Sequence, residues 1–373
     1  MLAAVGLTRA PQASRGCDPT IRLPDGFCAQ VFADELGAAR HIAVAENGDV
    51  FVALRARRGG AAVGVVALRD TDGDGEADVR ARFGDVGGTG IALYGGYLYF
   101  GANDRVIRYP LPAGSLEPSG APETIVAQLP ADRSHRDKSI TVTMAGELFV
   151  SIGAPSNSCQ EEDRTSGSPG IDPCPELERR AGIWKFDAEE QGQIQDDGER
   201  FATGLRNVVA LALHPGTGDL FGVQHGRDQL GQNWPDLFTL EDNADNADKP
   251  SEELVKIERG DAFGWPYCYH DPVHGRLVVA PEYGGAFIAF HGSWNRAPLP
   301  QGGYNVVFVP FAGDVPSGRW EVFADGFAGA ELGPRGAAHR PSGLPQGPDG
   351  SLYVTDDRGG RVWRIIYVGD GSG

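Results

Sequence analysis

No stretch of the 373 residues approaches the roughly 18 consecutive apolar residues of a membrane-spanning helix. Nothing in the chain is expected to span a membrane. The opening MLAAVGLTRAPQASRG also has too short an apolar run for a complete signal peptide. Residues 1–21 therefore read as a disordered leader or the remnant of a clipped one. Cations are scarce: 33 Lys and Arg stand against 51 Asp and Glu, a formal net charge of −18. Such an acidic excess repels phosphate backbones and argues against nucleic acid as a partner. It suits solubility, divalent cations and neutral substrates. Cysteine is sparse as well. Cys17, Cys28, Cys159, Cys174 and Cys268 contain no CxxC pair, which argues against a zinc site. Cys159 and Cys174 bracket SNSCQEEDRTSGSPGIDPCPE, a loop too polar to be ordered by apolar burial. A disulfide there would offset its entropy by about 3 kcal/mol. Cys17 and Cys28 make a plausible second pair, leaving Cys268 free. Disulfides imply an oxidising compartment, hence a periplasmic or secreted protein; the alternative is five reduced thiols in the cytosol.

Glycine, by contrast, fills 54 positions, about twice average usage, with 26 prolines beside it. With 41% hydrophobic and 9% aromatic residues, a packed core is available. Glycine inside a helix costs about 1 kcal/mol against alanine, so the composition favours many short strands and turns. One phrase recurs six times: an apolar strand, a tight turn such as ENGD, YGGY, MAGE, PGTGD or PDGS, and a second apolar strand. The copies lie at 41–55, 89–110, 139–153, 207–226, 285–294 and 342–357. Each continues into a further strand-like run, and the flanks alternate with period 2 as half-buried strands do. The period is about 58 residues, longer than the roughly 40–50 of compact propeller repeats. The expected fold is all-β, a six-bladed β-propeller forming one closed domain over 22–373. FCAQVFADEL, at 27–36, is expected to add a strand closing the ring. The longest insertions, 154–181 and 227–251, are where function is expected. Gly226 and Gly292 are expected at strand ends where a missing side chain lets a ligand approach the backbone.

Seven motifs occur in order: LPDGFCAQVFA, LRDTDGDGEADV, TGLRNVVALALHP, HGRDQLGQNWPD, FGWPYCYHDP, FHGSWNR and RPSGLPQGPDGSLYVTDDRGGRVWRI. Together they resemble the soluble glucose/sorbosone (aldose/pyranose) dehydrogenases that use pyrroloquinoline quinone (PQQ). The resemblance covers residues 22–368 and implies PQQ and Ca²⁺ as cofactors. PQQ is a flat tricarboxylate ortho-quinone. Its protein must supply cations for the carboxylates, a divalent metal to polarise the quinone, and a base for the sugar hydroxyl. The resemblance makes His135, in DRSHRDKSITV, the general base; an imidazole titrates in the right range. Ser134 stands where a relative carries an acid. Arg206, in GLRN, is placed against the reactive quinone oxygen, where a guanidinium would stabilise developing charge. Asn207 is a cofactor contact, as are Asn295 and Arg296 in HGSWNR and Arg340 in HRPSG; arginine suits carboxylates through bidentate bonds. The backbone carbonyls of Gly226 and Arg227 are expected to hold the catalytic Ca²⁺, with Asp228 a further candidate ligand.

DTDGDGEAD, at 70–78, reads separately as a calcium loop, with Asp70, Asp72, Asp74 and Asp78 as candidate ligands of a structural Ca²⁺. Ala81 stands where such a loop has its final Glu, so an exposed acidic hairpin turn is the alternative. The segment before FHGSWNR is short, leaving Tyr269, Tyr283 and Trp294 as substitutes for the family's aromatic wall. The implied activity is oxidation of an aldose or pyranose, anomeric hydroxyl to lactone or sugar aldehyde to acid. Electrons would pass to an external acceptor, and the protein would be a monomer or homodimer. The competing readings are a non-catalytic propeller that binds a protein or glycan, and a metal-dependent lactonase.

Overall fold

In a computed structural model the described residues are 29, 31–56, 63–132, 134–234, 252–271, 276–280, 285–293, 300–312, 315–316, 320–342, 352–356 and 361–365. The fold is all-β, as the glycine load suggested. Among these residues helix is confined to three single turns, Pro175–Glu178, Gln195–Asp197 and Leu230–Asn233. None is long and apolar enough to cross a membrane. The chain divides into two compact units. The first comprises Met1–Gly153, Ile183–Phe201 and Val208–Gly222; the second comprises Ala154–Gly182, Ala202–Asn207 and Val223–Gly373.

In the first unit, Ala39–Val44, Val50–Leu54, Gly64–Arg69 and Val79–Phe83 form a four-stranded antiparallel meander. The two middle strands are buried almost throughout; the outer two are half exposed. Their alternation sends successive residues to opposite faces. Phe51, Ala53, Val65 and Ala67 pack towards Ile91, Leu98 and Phe100 of the next sheet. Val52, Leu54, Val66 and Leu68 pack on Phe32, Ala33 and Leu36. The described part of 27–36 is therefore not the expected strand: it is irregular chain lying on the first sheet. Its carbonyls are satisfied individually, Phe32 O by the Ala77 N–H, and Asp34 O and Leu36 O by Arg80 and Arg82.

The second sheet is Gly88–Tyr94, Tyr97–Ala102, Val106–Pro110 and Glu123–Ala127. A short strand, Gln193–Ile194, adds in parallel to Glu123–Ala127. Its first hairpin turns through Gly95 and Gly96, both at positive φ (58° and 81°), the conformation of a two-residue type I′ turn. Ile140–Val142, Glu147–Ile152, Gly182–Asp187 and Glu199–Thr203 make the third sheet. Tyr99, Val106 and Ile125 pack against Leu148, Val150, Trp184 and Phe186 between the second and third. The fourth repeat gives Val208–Leu213 and Leu220–Gln224. In the second unit the fifth gives Gly285–Phe290 paired with Asn305–Ala312, and the sixth Leu352–Thr355 paired with Val362–Ile365. Among the described residues the first four repeats are thus hairpins, and the fifth and sixth each contribute a strand paired with the run that follows it. A further hairpin, Cys268–Asp271 with Arg276–Val279, was not read.

One ion pair in the first sheet supports a pH prediction. Asp49, with its side chain only 2% exposed, takes two hydrogen bonds of 2.6 Å from Arg69. Those bonds hold its carboxyl below the ordinary range. Asp49→Asn is expected to destabilise the protein at pH 7 by about 1.5–3 kcal/mol. A depressed folded pKa gives stability that is present above the unfolded value, about 3.9. The gap between variant and wild type should therefore close as the pH falls below that value. Urea melts at stepped pH check this; a constant gap would contradict it.

The reading of Gly292 needs correction. Its φ is 95°, and a Cβ there would lie 2.0 Å from the Tyr304 ring, so buried Tyr304 occupies the space assigned to a ligand. Gly292→Ala is expected to cost at least about 1–3 kcal/mol, through overpacking and an unfavourable backbone. A thermal melt indistinguishable from wild type would contradict this.

Candidate active site

The second unit gathers several predicted residues at one place. Segment 204–207 is stitched to its surroundings through its backbone. Ala181 O accepts the Leu205 N–H, Gly204 O accepts the Trp265 N–H, Arg206 O accepts the Ala154 N–H, and Asn207 O accepts the His225 N–H. These bonds fix the stem of Arg206, which is 4% exposed. Its Nε donates to Asn157 O (3.1 Å), Nη1 to Gly226 O (2.7 Å) and Nη2 to Asp228 Oδ1 (3.0 Å). A guanidinium has five N–H donors, so one remains on each terminal nitrogen. Burial lowers the Arg206 pKa and the Asp228 charge opposes that. Arginine remains a cation all the same.

Asp228 Oδ1 also accepts from Arg164 Nη1 (2.8 Å), and Arg164 donates as well to Gln229 Oε1. Arg227 is buried, with its guanidinium 5.2 Å from the centre of the Tyr269 ring. Asn207 is buried beside them in sequence. A narrow cleft bounded by Gly204, Arg206, Gln224, Gly226, Arg227 and His270 encloses about 20 Å³, room for about one water or one ion. Gln224 is 5% exposed; its Nε2 donates to Glu253 Oε2 (2.6 Å), and its Oε1 is buried with no hydrogen-bond partner among the described residues. Burial pushes the Glu253 carboxyl up against the opposing Gln224 bond. Burial also pushes up the thiol of free Cys268 on the same cleft, so it stays protonated and a poor nucleophile.

The cleft's size and oxygen donors suit a hard cation such as Ca²⁺. Gln224 Oε1 and Gly226 O are the hard oxygen donors that Ca²⁺ prefers. Arg206 and Arg227 are buried cations of the kind that meet carboxylates.

The 154–181 insertion supplies parts the motifs did not reveal. Asn157 is wholly buried. Its carbonyl also accepts from Trp265 Nε1 (2.9 Å), and its Nδ2 donates to Asp228 O (2.9 Å). Cys159 and Cys174 are bonded, as read, and pack with Ala154, Ala181 and Trp265. Asn157, Arg164, Gln224 and Glu253 were missed singly, although the loop carrying the first two was expected to bear function.

Other predicted residues have local settings of their own. Arg340 is buried, donating its backbone N–H to Asp356 Oδ1 (2.7 Å) and its Nε to His291 O (3.1 Å). Asp356 also takes His339 Nδ1 (2.6 Å). His135 belongs to the first unit, half-buried and left-handed with φ 52°. Buried Lys138 pins its loop by donating Nζ to Pro130 O (2.8 Å) and Arg136 O (2.6 Å). Asp70, Asp72 and Asp78 bring carboxylate oxygens within 4.8 Å of one another; Asp74 is outside that group and takes the Glu76 N–H. Backbone N–H groups of Gly75 and Gly73 lower the Asp70 pKa, and Thr71 lowers that of Asp78. Trp294, Asn295, Arg296, Tyr283, Cys17 and Cys28 lie outside the described residues.

The TrAA12-like family model matches residues 21–272 and 271–367. The chain belongs to the TrAA12-like family. The resemblance to PQQ-dependent sugar dehydrogenases read from the motifs is thereby borne out. A pyrroloquinoline quinone-dependent pyranose dehydrogenase of Coprinopsis cinerea is 28% identical over 168 residues, covering 35% of this chain and 22% of that protein. The chain spans between 22% and 49% of the length of the curated relatives it matches. Among solved structures, the calcium structure of the Trichoderma reesei carbohydrate-active enzyme of family AA12 is 19% identical. It covers 89% of this chain and 93% of that one, with a TM-score of 0.53. The holo form of the pyranose dehydrogenase PQQ domain from Coprinopsis cinerea is 17% identical, at the same coverage and a TM-score of 0.50. At these identities the likeness is one of fold.

Proposed function

We propose that this TrAA12-like chain is a PQQ- and Ca²⁺-dependent sugar dehydrogenase, built as one six-bladed β-propeller over 22–373. It oxidises the anomeric hydroxyl of an aldose or pyranose to a lactone, or a sugar aldehyde to an acid. The electrons pass to an external acceptor in the periplasm or outside the cell. The observation that carries this reading is the buried Arg206 guanidinium, bonded to Gly226 O beside an ion-sized cleft, in a chain of this family.

PQQ, when bound, supplies the acceptor for the hydride that leaves the sugar carbon, and Ca²⁺ supplies the polarising charge. His135 takes the hydroxyl proton on an imidazole nitrogen. Lys138 pins the backbone of its loop through Pro130 O and Arg136 O. Arg206 offers its remaining N–H groups to the oxygen on which negative charge develops, a preorganised donor set on a buried guanidinium. Gly226 O and Arg227 O hold the catalytic Ca²⁺. Asn207, Asn295, Arg296 and Arg340 hold the cofactor's carboxylates. The Asp70–Asp78 turn holds a structural Ca²⁺.

The test is reconstitution. Purified protein freed of metal and cofactor, then given PQQ and Ca²⁺, should reduce a dye acceptor with at least one sugar of a panel. Lactone hydrolysis without PQQ would favour a lactonase instead.

A further inference from the structure

Arg206's three engaged donors meet acceptors on two segments, Asn157 on one, Gly226 and Asp228 on the other. Two acceptors, Asn157 O and Gly226 O, are main-chain carbonyls fixed by the fold. The third is the Asp228 carboxylate, whose side chain is 53% exposed and the one acceptor with rotamers of its own. Asp228 is held at two points, its main chain from just before the disulfide-closed loop and its carboxylate from within it. Asn157 Nδ2 binds the Asp228 main-chain oxygen, and Arg164 Nη1 binds the same Oδ1 that Arg206 uses. Two guanidinium groups on one carboxylate oxygen already balance its charge. Two donors fill both lone pairs of that oxygen, so a divalent cation there would have to displace one of them, whereas Gly226 O carries one such donor.

We infer that Asp228 is the positioning residue of Arg206, with Arg164 and Asn157 as its supports, and not a ligand of the catalytic metal. The inference rests on the proposed role of Arg206. It moves Asp228 from the metal to the guanidinium. The loop between Cys159 and Cys174 then sets the direction in which Arg206 points.

Two measurements on Asp228→Ala and Asp228→Asn separate this from a metal role. The first uses ¹⁵N-labelled protein without cofactor. Exchange of the Arg206 Nη2–H, assigned by its loss in Arg206→Lys, should be at least about tenfold faster in Asp228→Ala than in wild type, with Asp228→Asn between. The second is the Ca²⁺ concentration giving half-maximal reconstitution with PQQ. It should stay within about twofold of wild type, while kcat falls about tenfold or more and the sugar KM changes little. Unchanged Nη2–H exchange would overturn the proposal. So would a Ca²⁺ midpoint raised about tenfold, which is the signature of a lost ligand. If wild-type protein shows no PQQ-dependent turnover, the proposed function fails, and the exchange measurement still decides whether Asp228 positions Arg206.

Discussion

Arg206→Ala is expected to lower kcat of the PQQ- and Ca²⁺-loaded protein by on the order of 100- to 1000-fold, the usual effect of removing one preorganised charge-stabilising donor. The guanidinium is buried, its stem is fixed by main-chain bonds on both sides, and its free N–H groups have no bulk water competing for them. Its removal takes one donor each from Asn157 O, Gly226 O and Asp228; Trp265 Nε1 still serves the first and Arg164 the last, so the cost, about 1–3 kcal/mol, falls mainly on Gly226 O. The variant must therefore be shown to be folded by near-ultraviolet circular dichroism. Arg206→Lys serves as a second probe. It keeps the charge but lacks the planar fork that spreads donors over three nitrogens, and should retain part of the lost rate. A folded Arg206→Ala protein turning over within about threefold of wild type would remove Arg206 from the mechanism.

The second large effect is on stability. Cys159→Ser with Cys174→Ser opens a loop of sequence separation 15, which should cost about 3 kcal/mol. The loop has little apolar surface of its own. Its anchor is the small cluster of both cysteines with Ala154, Ala181 and Trp265. Serine hydroxyls in that cluster add a further penalty. Trp265 gives a local readout, because its indole N–H is bonded to Asn157 O inside the cluster. Denaturant unfolding should show a lower midpoint, with Trp265 emission shifted to the red at lower denaturant than in wild type. An unchanged midpoint would mean that packing alone orders the loop.

The repeats were legible because hairpins announce themselves locally. Gly95–Gly96 between two tyrosines, with alternating flanks, allows little but a tight turn. Burial on both faces explains why VFVAL and GVVALR read as continuous apolar runs while ARHIAV and VRARF alternate. The disulfide was legible from the polarity of the loop it closes. The segment at 27–36 misled because its apolar residues cover a sheet face without joining a ladder. Gly292 misled because a glycine shows that something comes close without saying what; here it is Tyr304. At the site, motifs supplied Arg206 and Gly226, whereas Asn157 and Arg164 act across the fold on a guanidinium 49 and 42 positions away in sequence. No local pattern encodes such a contact. Asp228 was found by its place in HGRD, but its partners became visible only in three dimensions.

The central claim is that this fold holds PQQ through Arg206. It is tested most directly by titrating metal-free, cofactor-free protein with PQQ in the presence of Ca²⁺ and following the quinone absorbance. The account predicts saturation at one PQQ per chain, dependence on Ca²⁺, and marked weakening in folded Arg206→Ala protein. A titration with no saturable change, or one identical in the Arg206→Ala variant, would contradict it.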